Sequence, residues 1–278
     1  MESSILKVSI IIPTYKDLVA LKLILDALQY QTYKNFEAII AEDDDAQETK
    51  DFLLNYKSSF PIKHFYQEDD GNRKPRAVNN GIKISDGEYI IFIDGDTIPF
   101  STFVENHVAL SSPKIGLCGR RVNLGDKVSQ ELRDATIAAY QIEKSFFTKY
   151  FYLKNDNIRH YEQGITFNPN SLFYRILSSL NKNAHILASN FSCYKNVLLE
   201  VNGIDEGLPF APSRDDYDLQ WRLERIEVKM KSCKYCANLL HLNHLRTERI
   251  QEDKHNKILI EIKKQNNEFK AKDGIYKL

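Results

Sequence analysis

Three short runs in this 278-residue chain are apolar almost without interruption: VSIII (8–12), FEAIIA (36–41) and YIIFI (89–93). A strand with one solvated face alternates apolar and polar residues. Runs that do not alternate must be covered on both faces, as in a parallel sheet between two helical layers. Helical spacing fills the gaps. Leu18, Leu21, Leu25 and Leu28 repeat at three and four residues within 17–30, a polar helix is expected over 47–56, and another over 75–84. With a fourth strand over 62–66, strands and helices alternate through the first hundred residues, which predicts a Rossmann-like α/β unit.

The second half is less regular. A helix is expected over 130–150, a short strand within LASNFSCY (187–194), a helix over 216–226, a strand in VKMKSCKYC (228–236) and a polar helix over 249–270. Residues 151–183 are rich in Tyr, Phe, Lys and Asn with weak periodicity. No linker separates the halves. The expected organisation is one continuous domain with an α/β half (1–120) and a more irregular half (121–278).

Lys+Arg and Asp+Glu balance at 38 each, which gives no global electrostatic case for nucleic acid or an anionic membrane, although a local patch is compatible with that balance. No apolar run reaches the ~18 residues of a membrane span. Residues 1–15 lack a basic leader and read as a first strand, and four cysteines do not suggest a disulfide framework. A cytoplasmic protein is the expectation.

The run YIIFI drives straight into Asp94, Gly95 and Asp96. In open α/β sheets ligands bind beyond the carboxyl ends of the strands. If the strand stays extended, both carboxylates face one side, and Gly95 lets a ligand approach the backbone. Crowded carboxylates together with phosphate oxygens suit Mg²⁺ or Mn²⁺. An Asp-Gly turn is the plainer alternative. Further on, Asp215, Asp216 and Asp218 open a predicted helix, where acids also serve as caps. The set Cys233, Cys236, His241 and His244 has near-zinc spacing. A strand running from Cys233 to His241 could not wrap four ligands round one ion.

Taken together these motifs resemble the family 2 glycosyltransferases of GT-A fold. VSIIIPTYKD is similar to the family's opening strand and turn. FEAIIAEDDD stands in the place of its E-V-I-V-V-D-D-G-S, with Glu42 and Asp43 at the acidic positions. GNRKPRAVNNGIKISDGEYIIFIDGDTIP is similar to the run from a basic segment to the Asp-x-Asp, SNFSCYKNVLLEVNGIDE to the acceptor-side loop, and RDDYDLQWRL to E-D-x-D-L-x-x-R. LLHLNHLR resembles a His-containing end found in a subset with a galactosyltransferase-like C-terminal region. The resemblance spans about residues 7–246.

It implies a metal-dependent, inverting hexosyl- or N-acetylhexosaminyltransferase that uses a nucleotide sugar, with UDP favoured, to extend a glycan or lipid-linked acceptor in surface polysaccharide synthesis. That role would allow peripheral contact with the cytoplasmic membrane face. Asp96 would ligate Mn²⁺ or Mg²⁺ with His241 or His244, and Asp94 would assist. Pro13, Thr14 and Tyr15 would line the base, and Asp43 (or Asp44) would accept the uracil N3–H. Arg73, Lys74 and Arg76 would reach the diphosphate, with Gly95 beside it. Asp216 would be the catalytic base, with Asn190 and Asp215 on the acceptor. Rival readings are a sugar-nucleotidyltransferase, which would want a glycine-rich loop after the first strand, and a non-catalytic nucleotide- or glycan-binding module.

Overall fold

The computed structural model of the protein describes residues 5–180, 184–208, 214–244 and 250–277. Its first half follows the period of the sequence. Strands β1 (Val8–Thr14), β2 (Phe36–Glu42), β3 (Ile62–Tyr66) and β4 (Tyr89–Ile93) alternate with helices Leu18–Gln29, Gln47–Asn55 and Lys74–Ile84. β1, β2 and β4 are buried at every residue, as their unbroken apolar runs require. Successive side chains serve opposite faces. Ile10, Ile12, Ala38 and Ile40 pack with Leu21, Ile24, Leu25 and Leu28 of one helix. Ile11, Ile39 and Ala41 pack on the other face with Ala77, Val78 and Ile82.

The remaining strands are β5 (Thr97–Pro99), β6 (Ile115–Cys118), β7 (Val122–Asn123), β8 (Asn190–Tyr194), β9 (Lys229–Ser232) and β10 (Leu239–His241). The main sheet has the order β3-β2-β1-β4-β8-β6-β9. Only β8 runs antiparallel to its neighbours β4 and β6; the other pairings are parallel. The sheet is therefore mixed and mainly parallel, and strands from beyond residue 120 extend it. A small second sheet, β5-β10-β7, sits at the exit of β4, with His241 in register with Thr97.

Several expectations change. β4 ends at Ile93, and Asp94–Thr97 forms a turn closed by Thr97 N–H to Asp94 O at 3.1 Å. The extended-strand reading of the two aspartates is thus replaced by the Asp-Gly turn. The helix expected over 130–150 is broken into Asp126–Arg133 and Ala139–Lys144, because Ala135 takes a left-handed backbone at φ 55°. The strand expected through Cys236 stops at Ser232; Cys233–Ala237 turns, with Tyr235 at φ 71°. The C-terminal helix runs Ile250–Gln265, and Arg249 lies outside the described residues. The helix at the acidic motif, Arg214–Arg225, matches the expectation closely.

Within that helix Asp218 and Arg222 are fully buried and paired at 2.7 Å, with Lys263 also 2.8 Å from Asp218. Arg222 Nη1 donates to Val201 O and Gly203 O, so the pair ties the helix to the turn after Glu200. Asp218 is therefore structural. Burial alone would raise its carboxyl pKa, but Arg222 and Lys263 outweigh that and hold it below the ordinary range. A depressed carboxyl contributes stability above its unfolded pKa and loses it as the pH falls through the folded one. Asp218→Ala leaves Arg222 buried without its counter-charge and is expected to cost about 3–5 kcal/mol in denaturant unfolding at neutral pH. A loss under about 1 kcal/mol would show that the pair is not what anchors the helix.

Candidate functional site

The carboxyl ends of β1, β2 and β4 open on a cleft of about 480 Å³ lined by Pro13, Thr14, Tyr15, Asp17, Asp43, Gly71, Asn72, Lys74, Asp94, Gly95 and Asp96. Pro13, Thr14, Tyr15, Asp43, Lys74, Asp94, Gly95 and Asp96, eight of the residues expected at the nucleotide sugar, are in that lining. Arg73, also expected there, points its guanidinium at Asp70, 2.6 Å away, and serves the cleft through its backbone instead. Its N–H donates to Asp43 Oδ2 at 2.8 Å, while Gln67 Nε2 donates to Asp43 Oδ1 at 2.7 Å. Burial pushes the Asp43 carboxyl above its usual pKa, and these two donors pull against that shift. The neighbouring acids point elsewhere: Glu42 pairs with His64 inside the sheet at 2.7 Å, and Asp44 accepts the Asp45 N–H. Arg76 is exposed on its helix.

Gly95 is required by packing. A Cβ there would lie 2.3 Å from the Pro13 carbonyl oxygen, so the turn after β4 rests directly on the end of β1. On its Cβ side Gly95 meets this carbonyl, and it also lines the cleft.

The turn sends its two aspartates into different surroundings. Asp94 lies between two cations, Lys74 Nζ at 2.7 Å and Arg121 Nη1 at 3.2 Å. Burial would raise its pKa, yet Lys74 and then Arg121 hold it low. Arg121 was not anticipated; the only trace in sequence is a basic pair directly after β6. Asp96 meets two imidazoles, with its Oδ2 3.3 Å from His241 Nε2 and 3.2 Å from His244 Nε2. Its Oδ1 is buried with no hydrogen-bond partner. Among the described residues, Asp96, His241 and His244 are the one group of three ligand-type side chains within 4.8 Å of one another. Both histidines join this group, so the choice between them is not needed. An orphaned carboxylate oxygen beside two imidazoles fits a divalent cation.

Backbone pairing fixes the histidine segment. Leu242 N–H donates to Asp96 O and Leu124 N–H to His241 O. Asn243 is held by Ser129 Oγ at 2.8 Å and by Asp126 at 2.5 Å. Of the motif LLHLNHLR, Leu245 and Arg246 lie outside the described residues. Cys233 and Cys236 are buried in the apolar core. The zinc-like set therefore does not assemble, and the reason is core burial rather than a continuous strand.

Asp215 lines a small cavity with Lys74, Asp94 and Pro13. Asp216 Oδ1 accepts the Ala188 N–H at 3.1 Å. Desolvation, then the charges of Asp215 and Asp94, raise the Asp216 carboxyl well above the ordinary range, and Asp215 is raised as well, first by burial. Burial alone would lower the Lys74 ammonium, but Asp94, Asp215 and Asp216 together raise it. Asn190 does not reach the cleft. It is fully buried, with its amide donating to Arg120 O and Ala237 O and its Oδ1 3.1 Å from His107 Nε2. It is a structural residue rather than an acceptor ligand, and burial pushes His107 down to about pKa 3, keeping that ring neutral. A bidentate pair, Arg133 to Asp17 at 2.8 Å, closes the far rim of the cleft.

Residues 9–200 match the sequence profile described as Glycosyl transferase family 2. The validoxylamine A glucosyltransferase of Streptomyces hygroscopicus is 29% identical over 103 residues, which are 36% of this chain and 24% of that protein. GalNAc(5)-diNAcBac-PP-undecaprenol beta-1,3-glucosyltransferase of Campylobacter jejuni is 31% identical over 91 residues, 32% of this chain and 29% of that protein. The chain spans less than a third of the length of these two relatives. Among solved structures, S. aureus TarS superposes with a TM-score of 0.60 at 15% identity, over 94% of this chain and 40% of that one; TarS 1-349 is also known in complex with UDP. The mannosyltransferase PcManGT from Pyrobaculum calidifontis, in complex with GDP-Man and Mn²⁺, gives 0.59 at 11% identity over 95% and 65% of the two chains. These likenesses establish the GT-A fold. With the family profile running over more than half of its residues, the chain belongs to glycosyl transferase family 2.

Proposed function

We propose that the protein is a metal-dependent, inverting glycosyltransferase that moves a sugar from a nucleotide diphosphate donor, a UDP-sugar, to a hydroxyl of a glycan or lipid-linked acceptor in surface polysaccharide synthesis. The observation that carries this reading is the orphaned Asp96 Oδ1 beside His241 and His244 at the wall of the cleft. Asp96, His241 and His244 would hold Mn²⁺ or Mg²⁺. When bound, the ion neutralises charge on the departing diphosphate without proton transfer.

The chain's own residues account for the rest. Asp43, oriented by Gln67 and the Arg73 N–H, accepts the base N–H, and Tyr15 flanks the ring. Lys74 and Arg121 supply positive charge where the diphosphate forms, in exchange for their contacts with Asp94. Asp216 takes the proton of the acceptor hydroxyl as its oxygen bonds to the anomeric carbon. The electron pair of the broken C–O bond leaves with the nucleoside diphosphate. A single displacement of this kind inverts the anomeric centre. By likeness of fold, the UDP complex of TarS 1-349 supports this choice of donor, and the Mn²⁺ in the GDP-Man complex of PcManGT supports this choice of ion.

Asp96→Ala is expected to abolish transfer and to remove the Mn²⁺ dependence of UDP binding in calorimetry, while the melting temperature stays near wild type. Wild-type turnover that EDTA leaves intact would overturn the metal assignment.

The base has its own signature. A base must be ionised to act, and Asp216 is raised by desolvation, Asp215 and Asp94. The acid limb of kcat/KM is therefore expected above the ordinary Asp range. Asp215→Asn removes a neighbouring negative charge and should move that limb to lower pH. Asp216→Asn should lose about 10²-fold or more in rate. It should also raise the melting temperature at neutral pH, because a carboxyl raised in the folded state stabilises only at low pH. A variant retaining wild-type rate and pH profile would exclude Asp216 as the base.

A further inference from the structure

Charge is unevenly placed in this neutral chain. Neither residues 163–199 nor residues 228–247 contain a single Asp or Glu. The two segments meet in the fold: Tyr174 donates its hydroxyl to Ser232 O at 3.2 Å, and Phe167 N–H donates to Tyr235 O at 2.7 Å. Exposed Arg175, Lys229 and Lys231 lie on these segments. Glu162 beside them is 3.8 Å from Lys234, and Lys229 shares a cavity lining with Glu224 and Glu227, which leaves Arg175 and Lys231 as the cations next to the Tyr174–Ser232 contact.

Within this basic region lies the helix Leu172–Leu180. Tyr174 anchors it and is 2% exposed. Leu172, Phe173, Ile176 and Leu180 are 70%, 69%, 52% and 74% exposed. Their spacing of three and four puts them on one face. Soluble proteins rarely leave so many large apolar side chains together in water. Phe147 and Phe151, exposed and separated by Lys149, add a second apolar and basic pair nearby in sequence.

We propose that this helix docks the protein on an anionic lipid bilayer, with its four apolar side chains entering the boundary between headgroups and acyl chains while Arg175 and Lys231 meet lipid phosphates. An apolar stripe flanked by cations is the pattern of an interfacial helix. A second copy of the chain fits less well, since a two-fold contact would bring the same cations face to face. Aliphatic Leu and Ile likewise offer little to a nucleic acid. Among the described residues no helix is long and apolar enough to cross a membrane, so the contact is with the surface. It stands on this face alone and does not depend on the transfer reaction.

Co-sedimentation with vesicles tests it. The protein is expected to pellet with phosphatidylglycerol-containing vesicles, less so with pure phosphatidylcholine, and to be released by salt. Ile176→Glu combined with Leu180→Glu should lower partitioning by about tenfold or more. Arg175→Glu with Lys231→Glu, a second variant that leaves the apolar face intact, should lower it as well. Both pairs are exposed, so circular dichroism and melting temperature should match wild type. Wild-type protein left in the supernatant with anionic vesicles would overturn the proposal, as would apolar-face variants that bind like wild type. A wild-type dimer in light scattering that these variants dissociate would instead make the face a contact between copies.

Discussion

The site depends on one close contact. The turn after β4 lies on the Pro13 carbonyl at the end of β1, and only a residue without a Cβ fits at Gly95. This contact sets where the chain leaves the sheet. It places Asp94 between Lys74 and Arg121, on the side of the catalytic-helix candidate Arg214–Arg225, and turns Asp96 toward β10 and its histidines. Two carboxylates two residues apart are thereby given different tasks by their surroundings. One is satisfied by cations, and the other keeps a buried oxygen without a donor.

Electrostatics then explains why the cleft stays poised. Asp94, Asp215 and Asp216 raise the Lys74 ammonium, while Asp215 and Asp94 both disfavour ionisation of Asp216. Such crowding weakens the fold locally, and the buried Asp218–Arg222–Lys263 group braces the same helix one turn further on. A divalent ion would bring positive charge to Asp96, and Lys74 and Arg121, already paired with Asp94, would have to exchange that contact to meet a diphosphate. In that sense the acids of RDDYDL divide by burial: Asp218 belongs to the core, while Asp215 lines the small cavity with Lys74 and Asp94, and Asp216 accepts the Ala188 N–H.

The α/β half was legible because unbroken apolar runs and three-four spacing leave few alternatives. The second half was harder, since its direction changes are carried by ordinary residues. Ala135 and Tyr235 adopt left-handed backbones that no glycine announces. At the site, Asp43, Lys74, Asp94, Asp96, His241 and His244 could be named in advance because motif spacing carries them. Arg121 and the Asp17–Arg133 pair could not, because their partners lie 27 and 116 residues away and only the fold brings them together. Asn190 was misread for a related reason: its amide is consumed by the carbonyls of Arg120 and Ala237, which sequence does not reveal.

The central claim is that Asp96, His241 and His244 hold the ion that serves the donor's diphosphate. Anomalous diffraction at the manganese edge, from crystals grown with UDP and Mn²⁺, tests it most directly. A single strong peak within coordination distance of Asp96 and both imidazoles is the predicted result. UDP bound in the cleft with no peak beside these three residues, or with the peak elsewhere, would contradict it.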